Sequence, residues 1–334
     1  MRLKRADPES PGLTRRRRGR GFGYLGPTGE PVTDPELLER IKDLVIPPAW
    51  RKVWISPDAN GHIQAVGVDA AGRRQYLYHA EWRRARDEEK HDRVLALARR
   101  LPELRAAVAA DLDGRGTGRE RVLAVALRIL DLGVFRTGGE EYAEENGTHG
   151  LATLLREHVT VRGCELVFRY PAKGGIQRDV SIRDEELVKA VKALRRAAPK
   201  AERLLTYREN DGWHPVHAEE INERFKELTG AEFTAKDLRT WNATVLAAVA
   251  FADADRPSSE RGRKRVEAAV MREVAEGLGN TPAVARRSYV DPRVVTAFGE
   301  ERTIGNAVRR ARAVEDEHES RALIERAVVR LLRA

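Results

Sequence analysis

The chain has 334 residues, 41% hydrophobic and 34% charged, with a formal net charge of +9. That length supports a full core and more than one domain, and no stretch approaches the roughly 18 consecutive apolar residues of a membrane helix. A single cysteine, Cys164, excludes an internal disulfide framework and any cysteine-based zinc site, and no charged and apolar leader opens the chain, so the cytoplasm is the expected compartment.

The charge is uneven. The first 20 residues carry eight of the 61 basic and two of the 52 acidic side chains, so +6 of the +9 sits there. With Pro8, Pro11 and the run Arg15-Arg16-Arg17-Arg18, residues 1–20 lack apolar periodicity and are expected to be a disordered basic arm, serving either nucleic-acid binding or solubility. Gly21 to Leu25 reads as a strand. Asp34-Pro35 then caps and starts a helix carrying Leu37, Leu38 and Ile41, which Pro47-Pro48 ends. Strands follow at 52–55, 62–69 and 74–78, giving a small α+β module with a meandering sheet. In its last strand Gln75, Leu77 and His79 alternate with Arg74, Tyr76 and Tyr78. The second set is either a basic and aromatic nucleic-acid face or a Tyr pair packed at a sheet edge.

From Glu81 helices dominate, with Pro102 interrupting the first and Val122, Ala126, Ile129 and Leu130 marking an apolar helix over 119–132. The acidic run Glu140, Glu141, Glu144 and Glu145 has helical spacing and reads as a solvated face rather than a metal site. Two β-rich runs, 164–170 and 176–182, flank a five-residue loop, Pro171 to Gly175. Lys173 therefore stands at a mobile tip, either solvated or able to swing over a substrate. Amphipathic helices are expected over 184–198 and 217–228. His214 and His217 match no hydrolase pattern and suit capping or packing. Thr234 opens a helix with Leu238, Trp241, Val245 and Val249 buried and Arg239 at their border. Residues 253–265 read as a polar linker, and an apolar-faced helical tail closes the chain, docked on its own domain.

Between the last helices lies Gly279-Asn280-Thr281-Pro282-Ala283-Val284-Ala285-Arg286-Arg287-Ser288-Tyr289-Val290-Asp291-Pro292. Thr281 can cap a helix that starts at Pro282, and Asp291 before Pro292 leaves helical geometry, so Tyr289 falls near a helix end beside two arginines. Supplying its phenolate by ionisation alone at pH 7 costs about 4 kcal/mol, a cost that clustered guanidinium groups lower. No phosphate-binding loop, dinucleotide fingerprint or H-E-x-x-H motif is present, which argues against nucleotide or metal dependence.

Several stretches in a fixed order carry a resemblance. They are Gln64 to Asp69 with Gly72 to His79, Phe135-Arg136-Thr137-Gly138, Tyr142 to Thr148, Lys173-Gly174-Gly175, Lys236 to Thr240, Gly279 to Pro282, and Ser288-Tyr289. Over residues 21–298 the chain resembles type IB DNA topoisomerases of the compact poxvirus-like and bacterial branch. The resemblance implies an α+β protein with three parts: the arm, an N-terminal antiparallel-sheet domain over 21–90 that forms one lobe of a DNA clamp, and a mainly α-helical catalytic domain with a short hairpin or sheet over 91–334. It implies that Tyr289 attacks a backbone phosphorus to leave a 3′-phosphotyrosyl enzyme and a free 5′-hydroxyl. Arg136 and Arg239 would stabilise the phosphoryl oxygens, and Lys173, helped by Arg136, would protonate the leaving oxygen. Asn280 stands where many relatives carry His and would give the phosphate a hydrogen bond, but neither a positive charge nor a proton. Arg73, Arg74, Gln75, Tyr76 and Tyr78 are the expected DNA contacts. No metal, nucleotide or other cofactor is implied, the partner is duplex DNA without a membrane, and a nucleoid-associated monomer is expected. Tyrosine recombinases, which usually show His where Lys236 stands, and a noncatalytic DNA-binding protein on the same scaffold are the alternatives.

Overall fold

Alternation of apolar and polar side chains builds the N-terminal part around an antiparallel sheet. The computed structural model describes residues 2–140, 143 and 147–334, and the chain divides into two units, Met1–Lys90 and His91–Ala334. In the first unit, strands β1 (Leu13–Arg18), β2 (Gly21–Leu25), β3 (Arg51–Ile55), β4 (Ile63–Val68) and β5 (Arg74–Tyr78) lie in the order β2-β1-β3-β4-β5. The register Leu13, Ile55, Ala65, Leu77 across four strands puts these residues on one face, which packs with Ile41 of helix α1 (Pro35–Asp43). Asp34 caps α1 by accepting from the Glu36 amide at 3.0 Å.

The arginine run corrects the expectation of a disordered arm. Leu13–Arg18 is an interior strand, paired with β2 on one side and β3 on the other. The physical reason is a period of two hidden inside uniform charge. Leu13 enters the core, and the Arg15 guanidinium donates to the carbonyls of Ile46 (3.2 Å), Pro47 (3.0 Å) and Trp50 (2.7 Å) while lying 4.1 Å over the Phe22 ring. Arg16, Arg17 and Arg18 stay exposed. Earlier still, Lys4 exchanges backbone hydrogen bonds with Asn60 and His62.

The second unit is mainly helical. Helix α2 (Ala80–Ala98), within which the division falls, leads to α3 (Leu101–Asp113) and α4 (Arg119–Gly133). A three-stranded sheet, β6 (Val159–Arg162), β7 (Glu165–Ala172) and β8 (Ile176–Arg183), follows in that order, then α5 (Glu185–Ala197) and the small hairpin β9 (Thr206–Glu209) and β10 (Gly212–Pro215). The rest is helical: α6 (Ala218–Thr229), α7 (Ala235–Asp253), α8 (Glu260–Leu278), α9 (Pro282–Ser288), α10 (Pro292–Gly299), α11 (Gly305–Ala311) and α12 (Glu317–Arg333). Asp184, Ser259, Thr281, Asp291 and Asp316 each accept an amide at a helix start. The core centres on α4 and α7. Ala243, Ala247 and Ala248 are buried along α7 beside Leu238, Trp241 and Phe251, and such small side chains let neighbours close in around most of this helix.

Two boundaries move from their expected places. The β7–β8 turn is three residues, Lys173 to Gly175, because Pro171 and Ala172 still pair with Gln177 and Ile176. Pro171 has no N–H to offer, but its carbonyl accepts from the His149 amide at 2.7 Å. The polar linker is also shorter, since α8 already starts at Glu260 behind the Ser259 cap.

Helix α12 docks through Ala327, Val328 and Leu332 and through a buried ionic group. Arg105 of α3 and Arg321 of α12 both bond Asp131 of α4 and Glu325 of α12. Burial alone would push the Asp131 carboxyl up, yet Arg321 and Arg105 outweigh it and hold it at about 2. A carboxylate depressed below its unfolded value stabilises the fold above that value and loses the contribution as pH falls towards the folded one. Acid titration of thermal stability is therefore expected to show loss between about pH 4 and pH 2 that Asp131→Asn lacks. At neutral pH Asp131→Asn costs about 3–5 kcal/mol by leaving two arginines short of a partner. In β1, Arg15→Ala is expected to lower the protection of β1 amides against hydrogen exchange by about 1–3 kcal/mol, and Arg16→Ala by less than about 0.5 kcal/mol.

Candidate active site

The end of α8 organises the site. Gly279 leaves the helix with φ +60, and the amides of Gly279 and Asn280 turn back to Glu276 (3.0 Å) and Ala275 (2.9 Å). A helix that stops this way leaves carbonyls without intrahelical donors and a negative partial charge at its end. Three arginines take up four consecutive carbonyls here. Arg178 of β8 donates to Glu276 and Gly277, each at 2.9 Å. Arg239 of α7 donates to Leu278, and also to Val134 just past α4. Arg136 donates to Gly279 at 3.2 Å and to the Asn280 side-chain oxygen.

Each arginine is fixed from behind. Arg136 follows Phe135, whose ring packs on Phe168 (4.9 Å) and Tyr170 (5.7 Å). Its carbonyl accepts from Leu151 at 2.8 Å, and Gly138 lets the chain pass against Gly150, where a Cβ would lie 2.6 Å from a backbone atom. Arg239 is 4% exposed, which corrects the expectation of a border position. Burial first, and then repulsion from Arg136, lower its pKa to about 10, while the nearby Tyr289 phenol opposes the shift. It is thus fully charged at neutral pH. Among the described residues, the groups that shift it most include no carboxylate.

Tyr289 ends α9, its amide donating to Ala285 at 3.0 Å. Thr244 of α7 stitches the next turn by accepting from the Asp291 amide (3.1 Å), while its single hydroxyl proton is offered to the Thr240 carbonyl (2.9 Å) and, at longer range, the Tyr289 carbonyl (3.3 Å). The guanidinium facing the phenol is not a sequence neighbour. Arg239 lies 5.3 Å from the Tyr289 ring centre, whereas Arg286 pairs with Glu267 and Arg287 is exposed.

Two donors remain unused. Arginine only donates, so the Asn280 oxygen must face Arg136 and the amide N–H groups point elsewhere. That nitrogen, Nδ2, and Arg239 Nε are both buried without a hydrogen-bond partner among the described residues. Buried donors left open beside an excess of positive charge form a receptor for an anion with several oxygens.

Arg136, Arg239, Asn280 and Tyr289 are thus brought together, while Lys173 sits on the exposed β7–β8 turn. In the N-terminal unit, Tyr76 and Tyr78 stack at 5.9 Å and are exposed, with Arg74 over Tyr76 and ion-paired to Glu9. Arg73 and Gln75 both bond Asp69. Glu140 pairs with Arg203 and His217, and Glu141, Tyr142, Glu144, Glu145 and Asn146 lie outside the described residues. His217 is the N-cap of α6, and His214 bonds Asp211 at 2.9 Å, forming with Glu209 a small group on the β9–β10 turn. Arg178 was missed by sequence reasoning. Its only signal is an arginine in phase with Val180 and Ile182 on a strand.

Residues 79–306 match the family model described as eukaryotic DNA topoisomerase I, catalytic core, and residues 21–69 that of the bacterial DNA topoisomerase IB N-terminal domain. The chain is similar to DNA topoisomerase 1B of Acanthamoeba polyphaga mimivirus, 30% identical over 84% of this chain and 85% of that one. It is also similar to DNA topoisomerase 1B of vaccinia virus (strain Copenhagen), 23% identical over 80% of this chain and 82% of that one. A crystal structure of XerA recombinase superposes on 61% of each chain with a TM-score of 0.38 and 15% identity. Among the described residues no helix is long and apolar enough to cross a membrane.

Thr244→Val keeps the shape of the side chain but strips hydrogen bonds from the turn after Tyr289. It is expected to lower stability by about 1–3 kcal/mol in denaturant unfolding, because the Asp291 amide stays buried and unpaired.

Proposed function

Since this chain belongs to the type IB DNA topoisomerase family, we propose that Tyr289, Arg136, Arg239, Asn280 and Lys173 carry out its relaxation of supercoiled duplex DNA. The enzyme cuts one strand, holds it as a phosphotyrosine ester and reseals it. Tyr289 Oη gives its proton to solvent and bonds to phosphorus as the bond from phosphorus to the 5′-oxygen breaks. The 5′-oxygen leaves with a proton from Lys173, and resealing runs the same steps backwards. The ester stores the energy of the broken bond, so no nucleotide is consumed.

The observation that carries this reading is the pair of unpartnered buried donors, Arg239 Nε and Asn280 Nδ2, beside guanidinium groups that hold backbone carbonyls. A phosphodiester brings two nonbridging oxygens and the missing negative charge. Charge that develops on those oxygens in the transition state is met by donors already in place. Asn280 adds a hydrogen bond without a charge, so proton delivery falls to Lys173 on its turn. The exposed Tyr76 and Tyr78 with Arg73, Arg74 and Gln75 suit duplex contacts in the N-terminal unit. The reading includes a monomer acting in the cytoplasm on chromosomal DNA.

Purified protein is expected to relax plasmids of either supercoil sign in EDTA without ATP. Tyr289→Phe should abolish relaxation and the covalent adduct while leaving duplex binding within a factor of about two. Arg239→Ala should slow single-turnover cleavage by about 10²–10³. Failure of the wild type to form a covalent DNA adduct would refute the enzyme reading, and joining of two specific sites without relaxation would point to a recombinase.

A further inference from the structure

We infer that Arg178 is a positioning residue for this reaction, fastening the hairpin that carries Lys173 to the end of α8. The inference rests on the reading of Lys173 as the proton donor.

Arg178 lies on β8, directly across from Tyr170 on β7 and two pairs below the Lys173 turn. It is 8% exposed, and its two terminal nitrogens bond the carbonyls of Glu276 and Gly277 at 2.9 Å each. The buried Tyr170 faces it across the strand pair, where burial pushes the phenol up and the nearby Arg178 charge opposes that rise. Space around it is closed, since a Cβ on Gly279 would come within 2.7 Å of Arg178 Cδ. One planar fork therefore joins the strand pair leading to Lys173 to the last turn before Asn280.

A turn built on two glycines gains from such a joint. Gly174 and Gly175 both have φ near +75 (+80 and +73), and among the described residues nothing lies within 4 Å of where their Cβ atoms would be. Lys173 is thus exposed, and its reach to a phosphate held at Asn280 and Arg239 depends on where the hairpin stem is anchored. Lysine cannot replace the anchor, because an ammonium group lacks the fixed fork that meets two adjacent carbonyls. Proton transfer is sensitive to placement, and an error of about 1 Å can cost about 10²-fold.

The test compares two leaving groups. A duplex whose scissile 5′-oxygen is replaced by sulfur leaves as a thiolate and needs no proton, so loss of proton delivery stops mattering. Arg178→Lys is expected to slow single-turnover adduct formation on the ordinary ester by roughly 10- to 100-fold, and to come within about threefold of wild type on the sulfur substrate. Arg178→Gln serves as a second variant with the same expected pattern. Noncovalent duplex binding, measured in the Tyr289→Phe background, should stay within about twofold. An equal defect on both substrates, or none on either, overturns the inference. Lys173→Ala runs alongside. If sulfur rescues Lys173→Ala but neither Arg178 variant, the anchoring role is wrong; if it fails to rescue Lys173→Ala, the proton-donor reading itself is wrong, and the anchor falls with it.

Discussion

Four backbone carbonyls at the end of one helix hold three guanidinium groups, and among the described residues no carboxylate is among the main groups that shift Arg239, the most buried of the three. Like charges gathered this closely repel, and burial adds to the cost. The helix end offsets this, because its unpaired carbonyls carry a negative partial charge and need donors in any case. A carboxylate would hold the arginines more strongly, but it would also occupy the place proposed for the phosphate. Carbonyl dipoles fix their direction and leave their charge available.

The scaffold beneath follows the opposite rule. Around Asp131, two arginines meet two carboxylates, so the buried charges balance. Asn242 of α7 donates to the Asp131 carbonyl at 3.0 Å, three residues before the Val134 carbonyl that Arg239 bonds. The end of α4 is thereby held against α7, the helix that presents Arg239 and, through Thr244, steadies the turn after Tyr289. Balanced charge makes the frame rigid, and unbalanced charge on that frame makes the pocket receptive to an anion.

Local signals were strong where neighbouring residues decide the outcome. The Thr281-Pro282 start and the Asp291-Pro292 break put Tyr289 at a helix end, and apolar periodicity located the helices around it. Uniform charge hid other features. In the run Arg15 to Arg18 the alternation that makes a strand is invisible, since every side chain is the same and only their surroundings differ. The same blindness made 253–265 look like a linker, although its second half is the exposed start of α8.

What the linear chain determined by itself, then, is the mixed α+β architecture and most of its helices, while the four side chains from distant segments that meet at the end of α8 were picked out through the family resemblance. Residue spacing sets hydrogen-bonding period and burial phase, and those are local properties. Which guanidinium faces the phenol, why Arg239 is buried, and that Arg178 belongs with the others were decided only by tertiary packing. Each depends on carbonyls offered by a helix end, and backbone carbonyls are alike in every residue until the fold leaves some of them without a donor.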